Sequence, residues 1–563
     1  MPHYCIGIDF GTLSARALLV DARTGSELSS GVCDYPHGVM ESALPSGEKL
    51  GFGWALQDPA DYLFALEKSV ALALQDAPGC AGDVIGIGID ATACTLLPVT
   101  KNGTPLCSFP EYAGVPHAYA KLWQHNAPQR YADRMTELAA RRGEPWLFRC
   151  GGRVDAQWAV PKLWQALEEA PDIYEAADAW IEAGDWLVWQ LCGRKARSAS
   201  TAGYKALHSK HGGYPSEDYF AALHPGLASV MRDKLSGDVL PVGSKAGELL
   251  ADMAKRLGLP SGIAVAVSLI DAHACMMGCG ITSPGTMLYI AGTSGCHLVL
   301  GEDERPVPGI CGVVEDGMMP GFFGYEAGQS CVGDAYAWLT ERLAPENYAK
   351  AAREQGISLH SYLTGLAQRQ KPGQSGLLAL DFWRGNRSIL SDSDLSGLIL
   401  GLTPASRAED IYRAMLEATA FGTRVIIDNY REHGVRVERF AATGGISRKN
   451  PLLMQILADV CGMPVEVAAA TQSGALGSAI FAAAAAGSMH GGWDSAEEAA
   501  RHMAPGCEMV YHPISEHSAV YDRLYSEYRR LYDYFGRGEN DVMKRLSALK
   551  RDAGREHEGA WHD

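Results

Sequence analysis

The sequence predicts an α/β protein of two or more domains, with a spacing that suggests two halves of one pattern. Three observations carry this. Short buried-strand runs alternate with helical spacing along most of the chain. Its 563 residues exceed what one hydrophobic core usually serves. A strand, a Gly-Thr turn and a second strand occur twice, at Gly11-Thr12 and at Gly292-Thr293, 281 residues apart. Spacing alone fits duplication and coincidence equally well, since Gly-Thr pairs are common.

Taken in order, Tyr4-Cys-Ile-Gly-Ile-Asp9 alternates towards a carboxylate, Phe10-Gly11-Thr12 turns, and Ala15-Arg-Ala-Leu-Leu-Val20 returns as the second strand of a hairpin. Asp21-Ala-Arg-Thr-Gly25 then sends the chain into a third strand. Residues 59–77 have helical apolar spacing, and Val84-Ile-Gly-Ile-Gly-Ile89 is a buried-strand run ending at Asp90. Gly262-Ile-Ala-Val-Ala-Val267 is another such run and delivers Asp271 just past its end, where ligands gather in open α/β sheets. The domain boundary is expected near residue 282, giving domains 1–282 and 283–563. Thr286-Met-Leu-Tyr-Ile290 opens the second, followed by Gly292-Thr293-Ser294-Gly295. Near the end, Tyr521, Leu524, Tyr525, Tyr528, Leu531, Tyr532 and Phe535 form one helical face that should pack on the body. The charged stretch beyond Gly536 reads as a peripheral helix or frayed tail.

With 49 Lys and Arg against 66 Asp and Glu, the formal charge is −17, which disfavours tight non-specific binding to nucleic acid or an anionic membrane. No apolar run reaches the roughly 18 to 20 residues of a membrane helix. The N-terminus enters a strand-like run with no basic region or cleavage site, so a cytoplasmic protein is expected. The 14 cysteines are scattered without paired spacings and should be buried, reduced thiols. His273 with Cys275-x-x-x-Cys279 has the wrong spacing for a zinc finger. His557-Glu558-Gly-Ala-Trp-His562 has one residue too many for HExxH and reads as a solvated tail.

Several groups carry chemistry. A Gly-Thr turn after a strand offers backbone N–H groups and a hydroxyl to phosphate oxygens, and two facing turns would clamp a polyphosphate. Asp9, at the lip of the first turn, is placed to hold Mg²⁺ directly or through water. Each turn alone also fits an ordinary hairpin. Asp9-Phe10-Gly11 spells the protein-kinase DFG, but no HRD tripeptide accompanies it; the dipeptide Gly-Lys of a P-loop is absent, and no GxGxxG opens a helix as in dinucleotide folds. In Ala442-Thr443-Gly444-Gly445-Ile446, paired glycines before a helix would let a base and ribose lie against the backbone, with Asn450 hydrogen-bonding them; a plain strand-to-helix turn has the same sequence. Asp271 is the candidate base for a phosphoryl-accepting hydroxyl, or a helix cap. Glu326 fits sugar hydroxyls or a loop carboxylate, and Lys205 a ligand contact or a surface cation.

In this order the pieces resemble the FGGY carbohydrate kinases, members of the actin, Hsp70 and hexokinase superfamily. Asp9-Phe-Gly-Thr12 with Arg16 resembles the first phosphate turn, Gly292-Thr-Ser-Gly295 the second, and Gly444-Gly-Ile-Ser-Arg-Lys-Asn450 the adenosine motif. Val160-Pro-Lys-Leu-Trp164, Gly184-Asp-Trp-Leu187 and Gln472-Ser-Gly-Ala-Leu-Gly477 also resemble family segments, and the likeness covers roughly residues 4–490. Ile89-Asp-Ala-Thr-Ala-Cys-Thr-Leu-Leu-Pro98, Ser200-Thr-Ala-Gly-Tyr-Lys205, Leu269-Ile-Asp-Ala-His273 and Gly324-Tyr-Glu-Ala-Gly-Gln-Ser330 are similar to the branch acting on L-ribulose, more than to glycerol, xylulose or gluconate kinases.

The resemblance implies two actin-like (ribonuclease H-like) domains flanking an ATP and sugar cleft. It implies Asp271 as catalytic base, with Lys205 and Glu326 on the sugar hydroxyls and Ala93 lining the sugar pocket. Asp9, Gly11, Thr12, Gly292 and Thr293 would cradle phosphates and Mg²⁺, and Gly444, Gly445 and Asn450 would hold adenosine. The implied reaction is ATP-dependent phosphorylation of L-ribulose at its 5-hydroxyl, in arabinose breakdown, by a homodimer. Two departures stand out: the FGGY string is reduced to Phe323-Gly324-Tyr325, and Trp123 is followed by Gln124-His125 where a lysine is expected. The rivals are the same chemistry on D-ribulose or a related ketopentose or pentitol, and a non-catalytic nucleotide switch of the actin or Hsp70 kind.

Overall fold

The computed structural model describes residues 2–559, with side chains for residues 2–550. In the first half the chain forms β1 (Tyr4–Phe10), β2 (Ser14–Asp21), β3 (Glu27–Asp34), α1 (Pro59–Gln75), β4 (Val84–Ala91), α2 (Ala159–Glu169), α3 (Ala199–Ala206), β5 (Lys245–Glu248), β6 (Ala264–Ala266), β7 (Leu269–Ile270) and α4 (Asp271–Gly278). The second half contains β8 (Gly285–Ala291), β9 (Gly295–Gly301), β10 (Gly312–Glu315), β11 (Phe323–Gln329), α5 (Ala408–Glu432), β12 (Val437–Thr443), α6 (Gly445–Lys449), α7 (Pro451–Cys461), β13 (Val465–Ala468), α8 (Ser473–Ala486), β14 (Cys507–Tyr511) and α9 (Ser515–Gly536).

The two halves repeat one topology. The first sheet runs β3-β2-β1-β4-β6-β5, with β7 also on β4; the second runs β11-β9-β8-β12-β13-β14, with β10 added outside β11. The directions repeat as well: two antiparallel pairings, two parallel ones, then one antiparallel. Strand-turn-strand spacing was therefore reporting a structural repeat. A small antiparallel sheet of Leu56–Gln57, Leu96–Val99, Ala120–Lys121 and Ala179–Glu182 extends the first half.

The halves are joined by α8, which follows the second half's β13 but lies on the first sheet. Its register depends on glycine: a Cβ on Gly88 of β4 would stand 2.0 Å from the Ser478 carbonyl, and one on Gly477 would stand 1.9 Å from the Ala274 carbonyl of α4. Backbone therefore packs on backbone, which only hydrogen side chains permit. At the far end, Tyr521, Tyr525, Tyr528 and Tyr532 of α9 recur at helical spacing, all buried. Their hydroxyls find polar partners, as buried tyrosines must: Glu417 at 3.0 Å, Asp428 at 2.7 Å, Asp381 at 2.5 Å and Asn386 at 3.5 Å.

Beyond α9 a last helix spans Val542–Gly559; the side chains from His557 to His562 lie outside the described residues. Every cysteine is a free thiol, but the expectation of general burial is corrected: five are buried, eight are intermediate, and Cys507 is exposed on the edge strand β14. Among the described residues no helix is long and apolar enough to cross a membrane.

Candidate active site

The chemistry gathers where the parallel strands of both sheets end. Asp9 and Asp90 lie side by side because β1 and β4 are parallel neighbours in that register, and Arg16 faces Asp9 from β2. Asp90 is fully buried; its Oδ2 accepts a 2.6 Å hydrogen bond from Ser478 Oγ, whereas its Oδ1 accepts no hydrogen bond from a hydroxyl or N–H group. Both carboxylates sit against the first turn of α8, about where a Cβ on Gly474 would be, 3.6 Å from Asp90 Oδ1 and 3.7 Å from Asp9 Oδ2. A helix N-terminus favours negative charge. Burial, then the charge of Asp9, still pushes Asp90 well above the usual carboxylate range; Asp9 is raised by burial, against the opposing pull first of its hydrogen bond with the Asp90 carboxyl and then of Arg16.

Asp271 leaves β7, which pairs with β4 beside Asp90, and opens α4. Its Oδ1 accepts the N–H of the next residue, Ala272, at 2.7 Å, but the N-cap of α4 is Ile270 and no side chain caps the helix. Burial first and the charge of Asp9 second raise its pKa to about 7. A carboxylate poised there is suited to accept a proton at neutral pH.

The two Gly-Thr turns share a design. The Gly11 N–H donates to the Ser14 carbonyl at 3.0 Å, and the Gly292 N–H to the Ser294 carbonyl at 3.0 Å. In the first turn Trp123 Nε1 donates to Thr12 Oγ1 at 3.1 Å, and Gln57 Nε2 to the Thr12 carbonyl at 2.7 Å. Indole is only a donor, so the Thr12 hydroxyl keeps its own proton to give. In the second, the Gly292 and Thr293 carbonyls accept the N–H groups of Gly333 and Val332, and the Thr293 side chain is exposed.

Gly444 lies beside that second turn with φ +95°, and a Cβ there would stand 2.6 Å from the Ala291 carbonyl. Gly445 has no atom within 4 Å of the position its Cβ would take, leaving open surface for a flat ring. Asn450 is a correction. Its Oδ1 accepts the Leu453 N–H at 3.0 Å as N-cap of α7, its Nδ2 donates to the Tyr412 hydroxyl at 3.1 Å, and it is 6% exposed. The side chain closes the helix instead of facing the open surface.

Lys205, on α3, and Glu326, on β11, come from different halves and meet each other: Lys205 Nζ is 3.1 Å from Glu326 Oε2, both buried. Arg387 Nη2 adds a 2.6 Å bond to Glu326 Oε1, and His273 Nε2 stands 3.4 Å from Oε2. Burial opposes the charge on Glu326, but Lys205, His273 and Arg387 hold it well below the usual range; Glu326 likewise outweighs burial and raises Lys205. His273 is kept neutral by burial, with Nδ1 2.8 Å from Ser200 Oγ. Ala93 sits half-buried in the loop after β4, next to Cys94 at φ +58°. Asp90 and Arg387 had no role in the sequence reading. Asp90 ends its strand as Asp9 does, a parallel that would have found it; Arg387 lies in an irregular segment that carries no motif.

Residues 4–278 match the N-terminal domain of the FGGY family of carbohydrate kinases, and residues 287–486 match its C-terminal domain. The chain belongs to the FGGY family of carbohydrate kinases. This kinase is 53% identical over 539 residues to the ribulokinase of Bacillus licheniformis, covering 96% of this chain and 98% of that protein. It is 50% identical over 548 residues to the ribulokinase of Halalkalibacterium halodurans, covering 97% of each. Among solved structures, a gluconate kinase from Lactobacillus acidophilus superposes with a TM-score of 0.78 at 17% identity, over 96% of this chain and 99% of that one. The shared fold is the actin-like, ribonuclease H-like pair of domains. Membership excludes the non-catalytic switch, and this kinase is a phosphotransferase.

Proposed function

We propose that the chain transfers the γ-phosphoryl group of ATP to the 5-hydroxyl of L-ribulose, giving L-ribulose 5-phosphate for arabinose breakdown. The observation that supports this is Asp271, a partly buried carboxyl with a pKa of about 7 that feels the charges of Asp9 beside the first turn and of the paired Glu326 and Lys205. The proteins similar over nearly the whole length, named ribulokinase, supply the substrate.

In this reading residues 1–282 provide the first phosphate turn and most of the sugar site, and residues 283–563 the second turn and the adenosine surface. Asp271 takes the proton from the sugar hydroxyl and orients its oxygen in line. The Thr12 hydroxyl and the N–H groups of Thr12 and Thr293 bind phosphate oxygens, the Gly11 and Gly292 N–H groups being used to close their turns, with Gly444 and Gly445 against adenosine. Lys205, Glu326 and Arg387 form a fixed set of charges for hydroxyl recognition, and Ala93 lines the pocket. Asp9 and Asp90 suit Mg²⁺: they are hard oxygen donors lying side by side, and the buried Asp90 Oδ1 accepts no hydrogen bond from a hydroxyl or N–H group. When bound there, Mg²⁺ neutralises charge developing on the transferred phosphoryl group. We place the enzyme in the cytoplasm as a homodimer.

Closing the halves about α8 would exclude water that competes for the phosphoryl group. Small-angle scattering should show a smaller radius of gyration with sugar and a non-hydrolysable ATP analogue together; unchanged dimensions contradict closure. The reaction itself is tested by ³¹P NMR of the product from L-ribulose and MgATP. A phosphomonoester coupled to the C5 protons supports the reading, and one at C1 or none at all refutes it. The relatives' name does not fix configuration, so D-ribulose is assayed alongside.

A further inference from the structure

The Val160-Pro-Lys-Leu-Trp164 segment has no part in the mechanism above, yet it contains one of the most buried cations in the molecule. Lys162, on α2, has no exposed surface. Its ammonium group has three protons to donate, and three backbone carbonyls receive them: Cys94 at 2.5 Å, Lys121 at 3.1 Å and Leu122 at 2.9 Å. Those carbonyls belong to two separate segments. One is the loop after β4 that contains Ala93 and is held in a left-handed turn at Cys94, φ +58°. The other leads from Lys121 through Leu122 to Trp123, whose indole bonds Thr12 of the first phosphate turn. The Thr92 N–H also donates to the Phe10 carbonyl at 3.0 Å, tying the same loop to the end of β1.

We infer that Lys162 is a positioning residue that clamps the sugar-facing loop to the segment buttressing the first phosphate turn, and so sets sugar affinity. This rests on the reading of Ala93 as sugar-facing. Lys162 touches neither substrate; it acts through the Cys94 and Leu122 carbonyls. A buried ammonium is costly unless fully hydrogen-bonded, and here it is. Burial lowers its pKa to about 8, so it keeps its proton at neutral pH. Neighbouring Lys121 contrasts with it. Its amine lies 3.1 Å from His117 Nδ1 and 3.2 Å from Gln165 Oε1, and burial, then the charge of Lys162, lowers its pKa well below the lysine range.

The test is Lys162→Met, which keeps the apolar stem and removes all three donors, in the full-length protein. Hydrogen–deuterium exchange of the ligand-free protein should quicken at residues 92–97 and 120–125 and stay unchanged at 292–295. Steady-state assays should show the KM for L-ribulose rising at least tenfold and the KM for MgATP less than threefold. Lys162→Gln, which restores two donors, should recover part of the sugar KM. Unchanged exchange at 92–97 with unchanged sugar KM, whatever the melting temperature, overturns the proposal, as does failure of both variants to fold. If the unaltered protein turns over no sugar, the functional reading fails, and the exchange measurement still tests the clamp.

Discussion

Replacing Asp271 with asparagine removes the proton acceptor while keeping shape. The amide oxygen can still accept the Ala272 N–H, so the start of α4 should survive. General base catalysis typically contributes about 10²- to 10⁴-fold, or about 3 to 5 kcal/mol of barrier. The kcat of Asp271→Asn should fall by that factor, with the sugar KM within about threefold. The pKa of about 7 adds a pH signature. The base must be ionised, so activity falls as pH drops; between pH 8 and pH 6 the ionised fraction of such a group falls about tenfold. The wild-type kcat/KM for the sugar should show an acid limb with its midpoint at or just below pH 7, since the charge of Asp9 is part of the cause. The variant should lack that limb. A coupled ADP-release assay across pH 5.5 to 9 reads both effects. Retention of more than a tenth of wild-type kcat, or an unchanged limb in the variant, refutes Asp271 as base.

Three further outcomes follow from close approaches and buried charge. Gly444→Ala places a methyl 2.6 Å from the Ala291 carbonyl at φ +95° and should weaken binding of an ATP analogue at least tenfold by calorimetry, leaving sugar binding unchanged. Gly477→Ala forces α8 away from the Ala274 carbonyl; such overpacking costs about 1 to 3 kcal/mol or more, read as a lower melting temperature and weaker closure in scattering. Glu182 is buried with both oxygens unpartnered, and burial raises its pKa to about 7. A carboxyl raised on folding contributes stability that is present below its unfolded pKa and lost as pH rises through 7. Glu182→Gln should therefore flatten the decline in melting temperature between pH 5 and pH 8, and an identical decline in both proteins contradicts this.

What the sequence revealed, and what it hid, divides along physical lines. The strands were legible because β1, β4 and β8 are short apolar runs bounded by turn residues. The repeat was legible because a Gly-Thr turn joins the first two strands of each sheet. Asp271 was legible as a carboxylate just beyond a buried run. The mutual pairing of Lys205 with Glu326 was not, since the two lie 121 residues apart and meet only when the halves assemble. Asn450 misled because a side chain suited to hydrogen-bond a ribose is equally suited to cap a helix, and only the fold decides. Crossing of α8 onto the first sheet was hidden too: glycines at 88 and 477 look like ordinary strand and helix glycines until their backbone neighbours are known.

The most direct test of the central claim is ADP release by the unaltered protein with MgATP and each of L-ribulose, D-ribulose, D-xylulose, L-xylulose, ribitol and glycerol. The account predicts the highest kcat/KM for L-ribulose, with glycerol and D-xylulose at least a hundredfold lower. No stimulation by L-ribulose above the sugar-free rate, or preference for another sugar in the panel, contradicts it.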